Sequence, residues 1–212
     1  APAPGETEED MARRHAEVFL KLLEGEGFAQ PNPRPMFPNP PGLLRLEPFS
    51  AGLRERIWWG AASNATAEWA ARHGMNLQSS TLKQDESGQP FHIQQAEQIR
   101  AYRAAWQEAG HPREPRVSVS RSIFALVNDQ DRMYFGRQQG QDQFGLIDQY
   151  RAVFGRSYAA EPDRLIEQLR HDEAIAEADT LLLTIPNQLG VDYNAHLIES
   201  ILTHVAPGLG WR

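Results

Sequence analysis

The chain has 212 residues, of which 41% are hydrophobic and 23% are charged, and its net charge is -7. This length is enough for one domain with a large core, and the acidic balance argues against nucleic acid or an anionic membrane as a partner, because both attract basic surfaces. There are no cysteines, which excludes disulfides, thiol catalysis and cysteine-based zinc clusters. No apolar run reaches membrane-spanning length and no signal peptide is present, so a cytoplasmic protein with a single domain over residues 1–212 is expected.

The first fifty residues predict one helix and one irregular connection. Thr7 can cap a helix over residues 8–24, with Asp10 three residues further on as its partner. Residues 30–49 then contain seven of the fifteen prolines, which is typical of an extended surface loop.

Residues 56–80 predict the unit around which the rest of the chain is arranged. A short apolar strand at 57–59 is followed by a turn of small residues at 60–62, a helix at 65–73 and a second strand at 75–80. Ser63 or Asn64 can cap the helix, and Gly74 is placed for a left-handed cap at its end. Such a unit packs with its two strands parallel.

The turn from Gly60 through Ala61 and Ala62 to Ser63 and Asn64 allows two interpretations. Backbone N–H groups would point out of the helix N-terminus, where the macrodipole favours an anion, and small neighbours would let a phosphate reach them. A tight turn with a helix cap and no ligand is equally compatible with these residues.

The remaining residues predict further alternation of helices and strands. The expected elements are a polar loop at 82–90, helices at 93–109, 129–137, 144–154 and from Pro162, strands at 116–127 and 180–185, and a last helix around 197–205. One helix followed by four rounds of strand and helix predicts an α/β fold with a parallel sheet. Four strands do not close a barrel, so the chain is either an open sheet or half of a (β/α)₈ barrel.

Polar residues gather where the predicted strands end, and both candidate folds bind ligands at that end. Ser79 and Ser80 close the second strand. Arg121 is the single charge in a strand-like run, and a charge there needs a ligand or an ion-pair partner. We expect Arg121 to project toward the ligand mouth of the sheet, with a structural ion pair as the alternative.

The sequence lacks the motifs of several common enzyme and binding sites. There is no G-x-G-x-x-G motif after a strand, no P-loop and no G-x-S-x-G elbow. The seven histidines form no H-x-x-x-H pair, so no metal site is predicted, and His196 reads as a satisfied or solvated residue. The catalytic residues are left unassigned.

Four stretches together support a family resemblance: IWWGAASNATAEWAARHGMNLQSST, QQAEQIRAYRAAWQEAG, VSVSRSIFAL, and the run from FGRSYAAEPDRLIEQL to the C-terminal end. Their order and spacing resemble the bacterial luciferase-like flavin-dependent monooxygenases. The resemblance covers nearly the whole chain but only about the second half of the family's TIM barrel, that is, four β/α units. A longer native protein, with the first four strands upstream, is therefore expected.

The resemblance implies an enzyme that oxygenates a small organic substrate with O₂ and reduced flavin, which is FMN or, in one branch of the family, F420. Carried over by position, residues 60–64 would hold the flavin phosphate, while Ser79, Ser80 and Arg121 would line the pocket. A non-catalytic flavin-binding relative and an α/β binding module without flavin are the alternatives. The oligomeric state stays open, with a homo-oligomer among the options.

Overall fold

The computed structural model describes residues 2–137, 140–147 and 149–211. By compactness the chain divides into two units, Ala1–Ile57 and Trp58–Arg212. This division does not test whether the units form one domain, so the single domain over residues 1–212 stays a prediction. Within the described residues, no helix has both the length and the apolar character needed to cross a membrane.

The first unit is built on helix α1, Glu8–Leu23. Thr7 Oγ1 accepts a hydrogen bond from Asp10 N–H at 3.1 Å, and the Asp10 carboxylate accepts one in return from Thr7 N–H. This reciprocal capping box confirms the predicted helix start. The proline-rich residues 30–49 are irregular, apart from one antiparallel bridge between Ala29 and Leu44, as the sequence predicted.

The second unit alternates strands and helices. In chain order its elements are β1 (Trp58–Gly60), α2 (Asn64–Arg72), β2 (Asn76–Ser79), β3 (Leu82–Gln84), α3 (Phe91–Ala109), β4 (Val117–Arg121), β5 (Ile123–Ala125), α4 (Asp129–Phe135), β6 (Gln143–Ile147), β7 (Tyr150–Phe154), β8 (Tyr158–Ala160), α5 (Pro162–Arg170), α6 (Glu173–Glu177), β9 (Thr180–Leu183), α7 (Gly190–His204) and α8 (Ala206–Leu209).

The central sheet is parallel and has the strand order β1-β2-β4-β9. Each neighbouring pair is joined through at least one helix, as parallel strands require. Within the described residues this sheet is open, with β1 and β9 as its edges, so the structure shows an α/β fold with a parallel sheet and no closed barrel.

The two faces of the sheet differ in chemistry because side chains alternate along each strand. One face packs on α3 and α6: Leu77, Val117 and Val119 are fully buried there in a cluster with Ile99 and other residues of α3. The opposite face is polar at the carboxyl ends of the strands, where Gln78 Nε2 donates a hydrogen bond to Ser120 Oγ at 3.1 Å.

The helix predicted over 144–154 is wrong, because these residues form the antiparallel strands β6 and β7. Only two residues separate the strands, and β7 also pairs with β3. The segment is rich in aromatic and β-branched residues, which suit a pleated sheet. Since β3 comes from residues predicted as loop, the partner that stabilises the hairpin was missing from the prediction.

The single strand predicted over 116–127 is two strands. β4 pairs with β9 in the central sheet, whereas β5 pairs in parallel with β8 in a separate sheet of two strands. The break falls at Ser122, whose carbonyl accepts a hydrogen bond from Tyr158 N–H at 2.8 Å. One continuous apolar run therefore serves two sheets, a division that the run itself does not indicate.

Candidate functional site

The turn between β1 and α2 lies at the carboxyl edge of the central sheet. Ser63 is the residue that caps α2: its Oγ accepts a hydrogen bond from Thr66 N–H at 3.2 Å. Ala61 is buried, whereas Gly60 and Ala62 are exposed. A Cβ placed on Gly60 would meet no atom within 4 Å, so there is open space beside this part of the turn.

Gln98 of α3 joins this turn to the end of β2. Its Nε2 donates to the carbonyl oxygens of Ala61 at 3.2 Å and Ser63 at 3.0 Å, and its Oε1 accepts from Ser79 Oγ at 2.8 Å. Gln98 is fully buried, so these bonds satisfy groups that water does not reach. One amide therefore holds two predicted site segments together.

Gln95, one turn before Gln98 on α3, makes the second connection. Its Nε2 donates to Ser79 Oγ at 2.8 Å and to the Ser80 carbonyl at 2.7 Å. The sequence analysis did not identify either glutamine. The sequence did contain a signal for them: both glutamines lie on the apolar side of α3, with Ile99 and Tyr102. A polar side chain is uncommon at such a buried position and indicates a specific hydrogen-bonding role.

Ser79 faces α3 and not the polar side of the sheet. Alternation along β2 places Leu77 and Ser79 on the helix-facing side, and Ser79 is only 1% exposed. The expectation that its side chain lines a pocket is therefore wrong. Gln78 and Ser80 are the residues of this segment that reach the surface.

Arg121 also belongs to the helix-facing side, so its predicted orientation is wrong and the ion-pair alternative is confirmed. Its Nε and Nη2 donate to the two carboxylate oxygens of Asp172 at 2.7 and 2.9 Å. The exposed fractions of the two side chains are 2% and 0%. Alternation explains the orientation, because Arg121 follows Val117 and Val119 on the same face of β4.

Asp172 accepts hydrogen bonds from three residues. Besides Arg121, it accepts hydrogen bonds from Tyr158 Oη at 2.7 Å and from Ile175 N–H at 3.0 Å, the latter as the N-cap of α6. Burial alone would raise the pKa of Asp172, but the hydrogen bonds and the charge of Arg121 outweigh burial and lower it. Burial, followed by the charge of Asp172, raises the pKa of Tyr158 to about 12.

The N-terminus of α2, the predicted phosphate site, already holds a carboxylate of the same chain. Asn64 N–H donates to both carboxylate oxygens of Glu86, at 3.2 and 3.3 Å. Lys83 Nζ forms an ion pair with Glu86, and the Lys83 side chain is only 1% exposed. The backbone N–H of Glu86 donates to Gln94 Oε1 at 3.1 Å, which fixes its position.

This arrangement does not fit a flavin phosphate at residues 60–64. A phosphate at the first N–H of α2 would have to displace the Glu86 carboxylate or lie beside its charge. The turn at residues 60–64 and the end of β2, both predicted to belong to a site, lie together in the structure. The negative charge at the N-terminus of α2 is that of Glu86 from the same chain. No reaction step is therefore assigned to a flavin at this turn.

A second buried carboxylate lies beyond β5. Asp131 accepts hydrogen bonds from Tyr193 Oη at 2.6 Å and His196 Nε2 at 2.9 Å, and from the N–H groups of Val127 and Asn128 at 3.1 Å each. Burial would raise the pKa of Asp131, but these hydrogen bonds lower it overall. His196 is thus a satisfied residue, as the sequence predicted.

Comparison with known proteins finds solved structures that the chain resembles. No protein-family model and no curated protein matches the chain. The crystal structure of the monooxygenase RslO1 from Streptomyces bottropensis matches 96% of this chain with a TM-score of 0.59 and 16% identity. The crystal structure of apo-MsnO8 matches 84% of this chain, and the match covers 55% of the MsnO8 chain, with a TM-score of 0.46 and 19% identity.

The likeness to RslO1 establishes the class of fold. The chain has a mixed α/β fold with a parallel sheet, of the kind found in a monooxygenase structure. It spans 63% of the length of that structure.

Proposed function

We propose that the chain is part of a luciferase-like flavin-dependent monooxygenase and supplies about the second half of its TIM barrel. The observation that carries this proposal is the likeness to the monooxygenase RslO1 over 96% of the chain. The open parallel sheet supports it, because β1 and β9 are edges at which further strands could continue the sheet. The partners would be a reduced flavin, FMN or alternatively F420, O₂ and a small organic substrate.

When bound, the flavin would supply the oxygen chemistry, and the protein would supply binding and orientation. At the carboxyl ends of β2 and β4, Gln78 and Ser120 face the polar side of the sheet and are joined by a hydrogen bond. They could donate to or accept from a neutral ring system. The buried pair of Arg121 and Asp172 has a structural role in this proposal.

An α/β binding module without flavin is the second candidate. One specific observation favours it: the carboxylate of Glu86 occupies the position where the family resemblance would put a phosphate.

Flavin binding separates these candidates. The protein as isolated from its source is titrated into FMN, F420 and riboflavin, and flavin fluorescence is followed. The proposal expects saturable quenching with one site per chain. Replacing Gln78 by Leu should weaken the binding, whereas the same change at the exposed Gln107 of α3 should not. If none of the flavins binds, the flavin-free module is the better description.

Oxygen uptake provides the second part of the test. Chemically reduced flavin is added to the protein under air, and O₂ consumption and substrate-dependent product are compared with flavin alone. A flavin that binds without accelerating O₂ uptake or giving product would identify a non-catalytic flavin-binding relative.

A further inference from the structure

We propose that Glu86 is a specificity-determining residue that keeps anions out of the turn between β1 and α2. It supplies from within the chain the negative charge that the N-terminus of α2 favours. A phosphorylated ligand therefore gains nothing at this turn over its uncharged counterpart. The part of this inference that concerns flavins rests on the proposed function, whereas the exclusion of anions does not.

The contacts of Glu86 use two groups that would otherwise favour an anion, a helix N–H and a lysine. The first N–H of α2, on Asn64, lies between the two carboxylate oxygens at 3.2 and 3.3 Å. The Lys83 ammonium, buried on β3, has Glu86 as its ion-pair partner. Helix N-termini and lysines are the common protein ligands of phosphate, and here both are already neutralised.

The position of Glu86 is fixed by the chain around it. Its N–H donates to Gln94 Oε1 at 3.1 Å, and Gln94 Nε2 donates to Asp85 Oδ1 at 2.8 Å. The Asp85 carboxylate also accepts from Gly88 N–H at 2.9 Å. Gln94 is buried on α3, so the loop that carries Glu86 is held to a helix of the core.

The charge of Glu86 sets the character of the turn. An arriving phosphate would meet the Glu86 carboxylate, and like charges repel. The turn is suited to a neutral ligand group, or to none.

Inorganic phosphate is the direct probe and requires no flavin. Amide NMR of the wild-type chain is recorded with increasing phosphate, with chloride added to matched ionic strength as the reference. The Asn64 amide should stay unchanged in the wild type and should shift in Glu86→Gln. Glu97→Gln makes the same charge change on the exposed side of α3 and should behave as the wild type.

The flavin pair extends the test. The wild type should bind FMN within about threefold of its affinity for riboflavin, and Glu86→Gln should raise the preference for FMN at least about tenfold, because the Lys83 ammonium loses its counter-charge within the chain. If no flavin binds to either protein, the proposed function fails while the phosphate titration still decides the role of Glu86.

Two results would overturn the inference. One is a phosphate-dependent shift of the Asn64 amide in the wild type, and the other is a folded Glu86→Gln protein that ignores both phosphate and the flavin phosphate. Since Glu86→Gln leaves Lys83 buried beside a neutral side chain, it could fail to fold. In that case the wild-type phosphate titration and the wild-type ratio of FMN to riboflavin affinity decide the question.

Discussion

Replacing Asp172 by Asn should destabilise the second unit strongly. Each carboxylate oxygen accepts two hydrogen bonds: Oδ2 from Arg121 Nε and Tyr158 Oη, and Oδ1 from Arg121 Nη2 and Ile175 N–H. The Asn side chain would put an NH₂ group in place of one carboxylate oxygen, and its N–H groups would point at an Arg121 donor. The guanidinium also loses its counter-charge while it remains buried.

The cost of removing one partner of a buried ion pair is about 3–5 kcal/mol. For a chain of this size each kcal/mol corresponds to about 2–4 °C in melting temperature, so the midpoint should fall by about 6–20 °C. Removing both partners together, in Arg121→Met with Asp172→Leu, should cost much less, because no buried charge is left unpaired.

Urea denaturation followed by circular dichroism measures these free energies. Asp163→Asn, an exposed change in the first turn of α5, serves as the control and should cost at most about 1 kcal/mol. The reasoning is refuted if Asp172→Asn costs less than about 1 kcal/mol, or if the double replacement costs as much as the single one.

Three further experiments test the Asp172 pair at different pH and two other buried contacts. Because the pKa of Asp172 is lowered on folding, its contribution is present above the ordinary aspartate value of about 3.9 and is lost as the pH falls below it. The stability gap between wild type and Asp172→Asn should thus narrow from pH 5 to pH 3 in urea titrations, and a constant gap would contradict this linkage. Gln98→Leu should cost about 2–4 kcal/mol by chemical denaturation, since it removes three buried hydrogen bonds and leaves the Ala61 carbonyl without its side-chain partner; a loss below about 1 kcal/mol would show that water replaces the amide. Tyr193→Phe removes the 2.6 Å bond to Asp131 and should cost about 1.5–3 kcal/mol in thermal melts, against little change for the exposed Tyr134→Phe; equal melting points would argue against a strong bond.

Local patterns predicted the elements that local interactions stabilise. The Thr7 and Ser63 caps and the apolar stripe of α3 depend on residues three or four positions apart, and each lies where the sequence indicated. The parallel pairing of the central strands also agrees with the predicted alternation of strands and helices.

Contacts between residues distant in sequence account for what was missed. Arg121 and Asp172 are 51 positions apart, and Asn64 and Glu86 are 22 apart. Alternation puts Arg121 on the face of Val117 and Val119, but nothing near it indicates that this face carries a carboxylate partner. Likewise, nothing near Asn64 indicates that a carboxylate of the chain will bind its N–H. The hairpin of β6 and β7 likewise depends on β3 as a third strand.

Gln95 and Gln98 of α3 also fix the position of this helix along the edge of the sheet. A helix turns by about 100° and advances about 1.5 Å for each residue. A slip of α3 by a single position would therefore withdraw Gln95 and Gln98 from Ser79 and from the carbonyl oxygens they bind. These hydrogen bonds fix the helix, the end of β2 and the turn after β1 in one position relative to one another. A molecule arriving at this edge meets a surface whose shape is set before it binds.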